Sequence, residues 1–210
     1  MSTKDVREIV TRLEHLYPAI KTSLKYNNAF ELLIATILSA QCTDERVNLV
    51  TRTLFKEYRT PEDFASANTQ KLENVIRSTG YYHSKAKYIK GASKIIVDSF
   101  GLRVPDTMEG LLQLPGVGRK TANIVLSVAY DKNEGIAVDT HVKRLSKRLG
   151  LTQSDYPDEI EDDLMAITPK TLWNKIAILL ILHGRNVCHA RKPRCAACAL
   201  NDICPSAFSH

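Results

Sequence analysis

Two sets of residues in this chain have the types and spacing to do chemistry. The first is Cys188, Cys195, Cys198 and Cys204, four of the five cysteines, spaced C-x6-C-x2-C-x5-C and followed by Pro205. Four thiolates on a segment too short to have its own core suit a metal centre that cross-links it. A zinc ion and a [4Fe-4S] cluster both satisfy this, and the spacing alone does not separate them. Two disulfides are the alternative. They are disfavoured because the opening MSTKDVREIV is broken by charges where an export signal needs an apolar stretch, which implies a reducing compartment. The loop between the first two cysteines carries Arg191, Lys192 and Arg194 on an excursion pinned at both ends. Such held cations suit phosphate, with an ordinary solvated loop as the plain reading. The fifth cysteine, Cys42, reads as a buried small hydrophobe.

The second set begins in the segment Leu114-Pro115-Gly116-Val117-Gly118-Arg119-Lys120-Thr121. Gly116 and Gly118, either side of Val117, permit positive φ angles and close approach of a phosphate to the backbone. The next helix presents its unpaired N–H groups at the same place. A P-loop is excluded because its G-x-x-x-x-G-K-[ST] spacing is absent. Lys120 falls in the first helical turn, where the helix dipole and Arg119 both work against a second positive charge and favour the neutral amine a nucleophile requires. Taken singly it is a solvated surface lysine. Asp139 ends the apolar run Ile136-Ala137-Val138 and opens a segment bearing His141, Lys143, Arg144, Lys147 and Arg148. It reads first as a helix N-cap, yet a carboxylate there can also stabilise a cationic transition state or accept a proton from an amine.

These groups need a scaffold, and the pattern of the chain predicts an all-α one. With 44% hydrophobic residues among 210, it can bury one sizeable core or two modest ones. The 29 Lys and Arg against 23 Asp and Glu give a net charge of +6, which favours polyanionic partners. The longest apolar run, Ile176 to Leu182, is far short of the roughly 20 residues that span a bilayer, so a soluble cytoplasmic protein without membrane association is expected. Asn28 to Ala40 is apolar on nearly every face and predicts a central helix. Further helices are expected at 4–16, 44–58, 61–66, 69–77, 84–98, 107–113, 119–130, 140–149, 157–166 and 171–183, with ends uncertain by about two to four residues. Thr60-Pro61, Thr107 and the region of Asp158 read as helix starts, and Gly80, Gly101 and Gly150 as C-terminal caps.

LPGVGRKTANIVLSVAY, VDTHVKRLSKRLGL and the cysteine spacing together resemble the endonuclease III branch of the helix-hairpin-helix DNA glycosylase superfamily, over nearly the whole chain. The resemblance implies two helical domains with damaged double-stranded DNA bound across the cleft. One is a six-helix barrel, residues 22–132, with a helix-hairpin-helix near 107–130. The other is an iron–sulfur domain of residues 1–21 and 133–210, whose cluster loop is 188–204. It further implies a monomeric bifunctional glycosylase and AP lyase acting on oxidised pyrimidines, Lys120 and Asp139 as the catalytic pair, and the four cysteines on a [4Fe-4S] cluster. Gly116, Val117, Gly118, Arg119, His141, Lys143 and the basic loop are then DNA contacts. Two further segments are similar to the family's wedge and lesion-contact loops and add Gln41, Asp44, Tyr81, Tyr82 and Lys85. Tyr81 stands where the family usually carries an aliphatic side chain, and an aromatic ring there can wedge or stack between bases. Monofunctional relatives carry Ser or Tyr at the position of Lys120. A non-catalytic DNA-binding or electron-transfer module is the reading from a different class.

Overall fold

The computed structural model describes residues 3–18 and 22–209, which are helical and without strands. Eleven α-helices are described: α1 (Thr3–Leu16), α2 (Ala29–Leu38), α3 (Asp44–Glu57), α4 (Pro61–Ser66), α5 (Thr69–Ile76), α6 (Tyr82–Ser99), α7 (Met108–Leu112), α8 (Arg119–Ala129), α9 (Thr140–Arg148), α10 (Pro157–Ile167) and α11 (Trp173–Asn186). Short 3-10 turns occupy Arg77–Thr79, Lys170–Leu172 and Cys195–Ala197. None of the helices described is long and apolar enough to cross a membrane. The chain divides into two compact units, Thr22–Glu134 and Met1–Lys21 with Gly135–His210. The implied junction at residue 21 lies beside 19–21, outside the described residues.

In the Thr22–Glu134 unit, α2 occupies the centre because nine of its ten residues, Phe30 to Leu38, are buried. An apolar helix without a polar face can be stable only when other elements surround it. The caps that start these helices are written in the sequence. Asn28 accepts from the Glu31 N–H at 2.9 Å, and Asn68 from Lys71 at 3.0 Å. Thr60 and Asp63 form a reciprocal capping box before Pro61. The backbone N–H groups of Arg59 and Thr60 hold the Asp63 carboxyl below the ordinary carboxylate range. The core includes Leu33, Leu54, Phe64, Leu72, Ile89, Ile96, Leu111 and Val125. Phe64 is fully buried, with its ring centroid 5.5 Å from Phe30 and 5.2 Å from Tyr58.

The second unit joins the two ends of the chain. Val6, Ile9, Val10 and Leu13 form one stripe of α1 and pack in a core with Val142, Leu145, Ile160, Leu164, Leu179, Leu180 and Leu200. Arg12 ties α1 to the cysteine segment by donating to the Ala199 carbonyl at 3.0 Å and to the Asp202 carboxylate at 2.6 Å. The last helix, α11, runs to Asn186, three residues past the expected end and within the margin given for it, with Gly184 inside it. A Cβ at that position would lie 2.8 Å from His141 Nδ1 and 3.0 Å from Arg144 Nη2, so the glycine permits close packing on α9.

Phe64→Ala removes a fully buried ring held by two aromatic neighbours and is expected to cost about 3–5 kcal/mol. Urea unfolding followed by far-ultraviolet circular dichroism reads this as a lower midpoint at unchanged slope.

Candidate active site

The hairpin is built from α7, a tight turn and α8. Thr107 caps α7 through the Gly110 N–H at 3.2 Å, and the Val117 N–H closes the turn on the Leu114 carbonyl at 3.1 Å. The two glycines serve different ends. Gly116 has φ +78, and a Cβ there would lie 2.7 Å from the Tyr88 side chain of α6. Gly118, by contrast, has φ −96 as the N-cap of α8, so of the two glycines that permit a positive φ Gly116 alone adopts it. A Cβ at Gly118 meets nothing within 4 Å. Its missing side chain therefore leaves open space on the outer side of the turn, beside the first N–H groups of α8. Arg119 and Lys120 are exposed in that first turn, while the Val117 side chain is buried.

Asp139 is the N-cap of α9, and one carboxylate oxygen accepts from the His141 and Val142 N–H groups at 2.8 Å each. The cap fixes the side chain while the second oxygen remains available for other work. The basic residues beyond it are largely engaged within their own unit. Lys143 donates to the Asp155 carbonyl at 2.7 Å, and Lys147 to the Asp155 carboxylate at 2.8 Å. These two lysines hold that carboxyl below its ordinary range. His141 Nδ1 lies 3.1 Å from Arg144 Nη2.

The four cysteines of the C-terminal segment line one apolar hollow together with Arg148, Val187, Pro193 and Ala207. These four thiols share one hollow, a donor set that suits a zinc ion or an iron–sulfur cluster. Burial pushes the Cys198 and Cys204 thiols up, and their sister cysteines push in the same direction by charge repulsion. The sulfurs already have donors: Arg148 Nη1 donates to Cys188 Sγ at 3.2 Å, and the Leu200 N–H to Cys198 Sγ at 3.4 Å.

Three supporting residues escaped the sequence reading. Arg148 also donates to the carbonyls of His189 at 2.8 Å and Ala190 at 3.1 Å, and Arg144 to the carbonyl of Cys188 at 3.0 Å. Both brace the start of the loop that exposes Arg191, Lys192 and Arg194. His183 is buried, and burial pushes its imidazole down to about 4, so the ring is neutral at pH 7. Its Nε2 lies 3.2 Å from Cys198 Sγ and its Nδ1 3.2 Å from the Tyr17 hydroxyl. The arrangement that satisfies both has Nε2–H donating to sulfur and Nδ1 accepting from tyrosine. The i, i+4 spacing of Arg144 and Arg148, and a histidine five residues before the first clustered cysteine, are the signals that were present.

The two loops singled out in the Thr22–Glu134 unit divide by burial. Gln41 is exposed at φ +51 and Tyr81 is 66% exposed at φ +49. Tyr82 is half-buried against the core, with Arg77 over its ring at 5.9 Å. Asp44 opens α3 and accepts from the Ser23 hydroxyl. Lys85 corrects the expectation made for it. It is 3% exposed, and its ammonium donates to the backbone carbonyls of Leu38 and Thr79 at 2.8 Å each, so it cannot be an outward phosphate contact.

Residues 34–170 match the model of the HhH-GPD superfamily base excision DNA repair proteins. The chain is 52% identical to endonuclease III of Synechocystis sp. over 99% of its own length and 95% of that protein. It is 44% identical to endonuclease III of Bacillus subtilis, over 97% and 93%. Among solved structures it resembles a trapped endonuclease III–DNA covalent intermediate with a TM-score of 0.94 at 42% identity, covering 100% of this chain and 98% of that one. A thermostable thymine-DNA glycosylase shares the fold at 20% identity, with a TM-score of 0.88 over 99% and 98%.

The two hairpin glycines are expected to respond differently to alanine. Gly116→Ala meets both a left-handed φ and the Tyr88 ring and should lower stability by about 1–3 kcal/mol. Gly118→Ala should cost less than about 1 kcal/mol, the loss from a weaker N-cap. Thermal melts of the two variants side by side check the ordering.

Proposed function

The chain belongs to the HhH-GPD superfamily of base excision DNA repair proteins, within its endonuclease III family, and from that premise we propose that it removes oxidised pyrimidines from duplex DNA and cuts the resulting abasic strand, with Lys120 as nucleophile and Asp139 as its carboxylate partner. The observation that carries this reading is the exposed Lys120 amine in the first turn of α8, beside an open glycine N-cap that suits a phosphate. A damaged base is first extruded from the stack, at a cost of a few kcal/mol that falls for lesions pairing poorly. Backbone N–H groups around Gly118 hold the strand without reading its sequence.

The neutral Lys120 Nζ then forms a bond to the sugar C1′, and the glycosidic bond breaks with its electron pair leaving on the base, which takes up a proton. Loss of the amine protons and opening of the sugar ring give an imine between Lys120 and C1′. The imine acidifies the C2′–H, whose removal expels the 3′-phosphate with the C3′–O electron pair. Water then hydrolyses the imine and frees Lys120. The Asp139 carboxylate, held by its cap, stabilises positive charge that develops on the sugar and accepts a proton from the attacking amine.

Cys188, Cys195, Cys198 and Cys204 fit a [4Fe-4S] cluster, the reading supported by their shared hollow, their donor hydrogen bonds and the family. Such a group supplies cross-linking of the C-terminal segment, with no open coordination site when all four sulfurs bind. Arg191, Lys192 and Arg194 on the braced loop then face phosphates as a fixed set of cations.

Borohydride should trap a covalent adduct between the protein and a duplex containing one oxidised pyrimidine, and Lys120→Ala should abolish it. A protein that binds such duplexes yet gives no adduct with any lesion would overturn the enzyme reading. Asp139→Asn separates capping from chemistry, since asparagine caps as well as aspartate. It should melt with the parent yet react about 100-fold more slowly in single turnover. Elemental analysis should find about four iron and four inorganic sulfide per chain, and zinc without sulfide would replace the cluster with a single-ion site.

A further inference from the structure

Lys85 is a buried cation outside the chemistry just described. It lies in the first turn of α6, and both of its hydrogen-bond acceptors end other elements. Leu38 is the last residue of α2, and Thr79 is the last of the Arg77–Thr79 turn. Carbonyls at helix C-termini lack intrahelical donors and carry the negative end of the dipole, so one ammonium satisfies two of them at once. Burial lowers the affinity of this amine for its proton, so the charge is held there at a cost.

The segments leaving these two carbonyls give the contact its meaning. Beyond Leu38 the chain reaches Gln41 in three residues, and beyond Thr79 it reaches Tyr81 in two. Both tips are non-glycine residues in the left-handed region, at φ +51 and φ +49, and both are exposed. Left-handed geometry is unfavourable for such residues and persists only where surrounding contacts over-determine it. Lys85 bonds the root of each loop. The same helix reaches the hairpin: Tyr88 lies against Gly116, and Gly91 approaches Pro115, whose Cγ would lie 3.1 Å from an added Cβ.

We propose that Lys85 is a positioning residue: its ammonium clamps the Gln41 and Tyr81 loops to each other and to α6, so that both side chains enter the duplex together when a base is extruded. The proposal rests on the reading of these loops as DNA contacts. Without the clamp the two carbonyls lose their donor and each tip can relax toward an unstrained conformation. The hairpin would still hold phosphates, but the stack would no longer be prised open at one step.

The test uses the full-length protein with two duplexes, one carrying a single tetrahydrofuran abasic analogue beside 2-aminopurine and one undamaged. The wild type is expected to prefer the analogue and to raise 2-aminopurine fluorescence by unstacking it. Lys85→Met should lose about tenfold in affinity for the analogue and most of the fluorescence rise, with affinity for the undamaged duplex changed less than about twofold. Lys85→Arg, which keeps charge and donors, should recover at least half of the fluorescence rise. A folded Lys85→Met variant that discriminates and unstacks like the wild type overturns the proposal alone, whereas a wild type without preference for the analogue overturns the underlying reading of the loops. Should Lys85→Met not fold, Lys85→Gln, which is too short to span both carbonyls, is read by the same measurements. If neither variant folds, Lys85 serves stability only and the proposal is overturned.

Discussion

Burial of α2 on all sides is the constraint that organises the Thr22–Glu134 unit. Phe30 to Leu38 offer no polar face, so α3, α6 and α8 must pack around them. That requirement fixes where the end of α2 emerges, and the end of α2 is where Gln41 projects. It also places α8, whose first turn carries Lys120, against the same central helix. The loops that can reach a ligand are short extensions of rigid elements, a geometry that keeps reactive groups in register at little entropic cost.

Local economy shapes the site as well. Asp139 caps α9 with one carboxylate oxygen, so the contact that orients the side chain also starts the helix. The hairpin uses two glycines for unlike reasons, one to avoid Tyr88 and one to leave the outer surface bare. In the cysteine segment, Arg144 and Arg148 turn inward to hold backbone carbonyls and a sulfur, which leaves the exposed positive charge to the loop they brace. A count of basic residues on α9 overstates how many face outward.

Features fixed by neighbours in sequence were legible before the structure. The helices, the caps at Thr60, Thr107 and Asp139, and the positive-φ glycines at 80, 101 and 150 arise from local chemistry and appear where that chemistry puts them. Features fixed by distant neighbours were not. Lys85 looked like an exposed cation because the carbonyl of Leu38, 47 residues away, is invisible in the local pattern. Gly184 went unremarked in the sequence, because only the approach of His141 and Arg144 explains a glycine inside α11. His183 signalled only its nearness in sequence to Cys188; its place between Tyr17 and Cys198 depends on α1 and α11 packing together. The chemistry-bearing types were read from spacing, whereas the residues that hold them in place were set by tertiary contacts.

The attachment of α1 to the far end of the chain bears on how the molecule is made. Val6, Ile9, Val10 and Leu13 leave the ribosome well before their partners at Leu179, Leu180 and Leu200 are made. The intervening unit, Thr22–Glu134, contains its own core and can condense during translation. The apolar stripe of α1 gains these core partners only once the later segment is made. Arg12 adds its bonds to Ala199 and Asp202 at the same place, so docking of α1 depends on the cysteine segment being made.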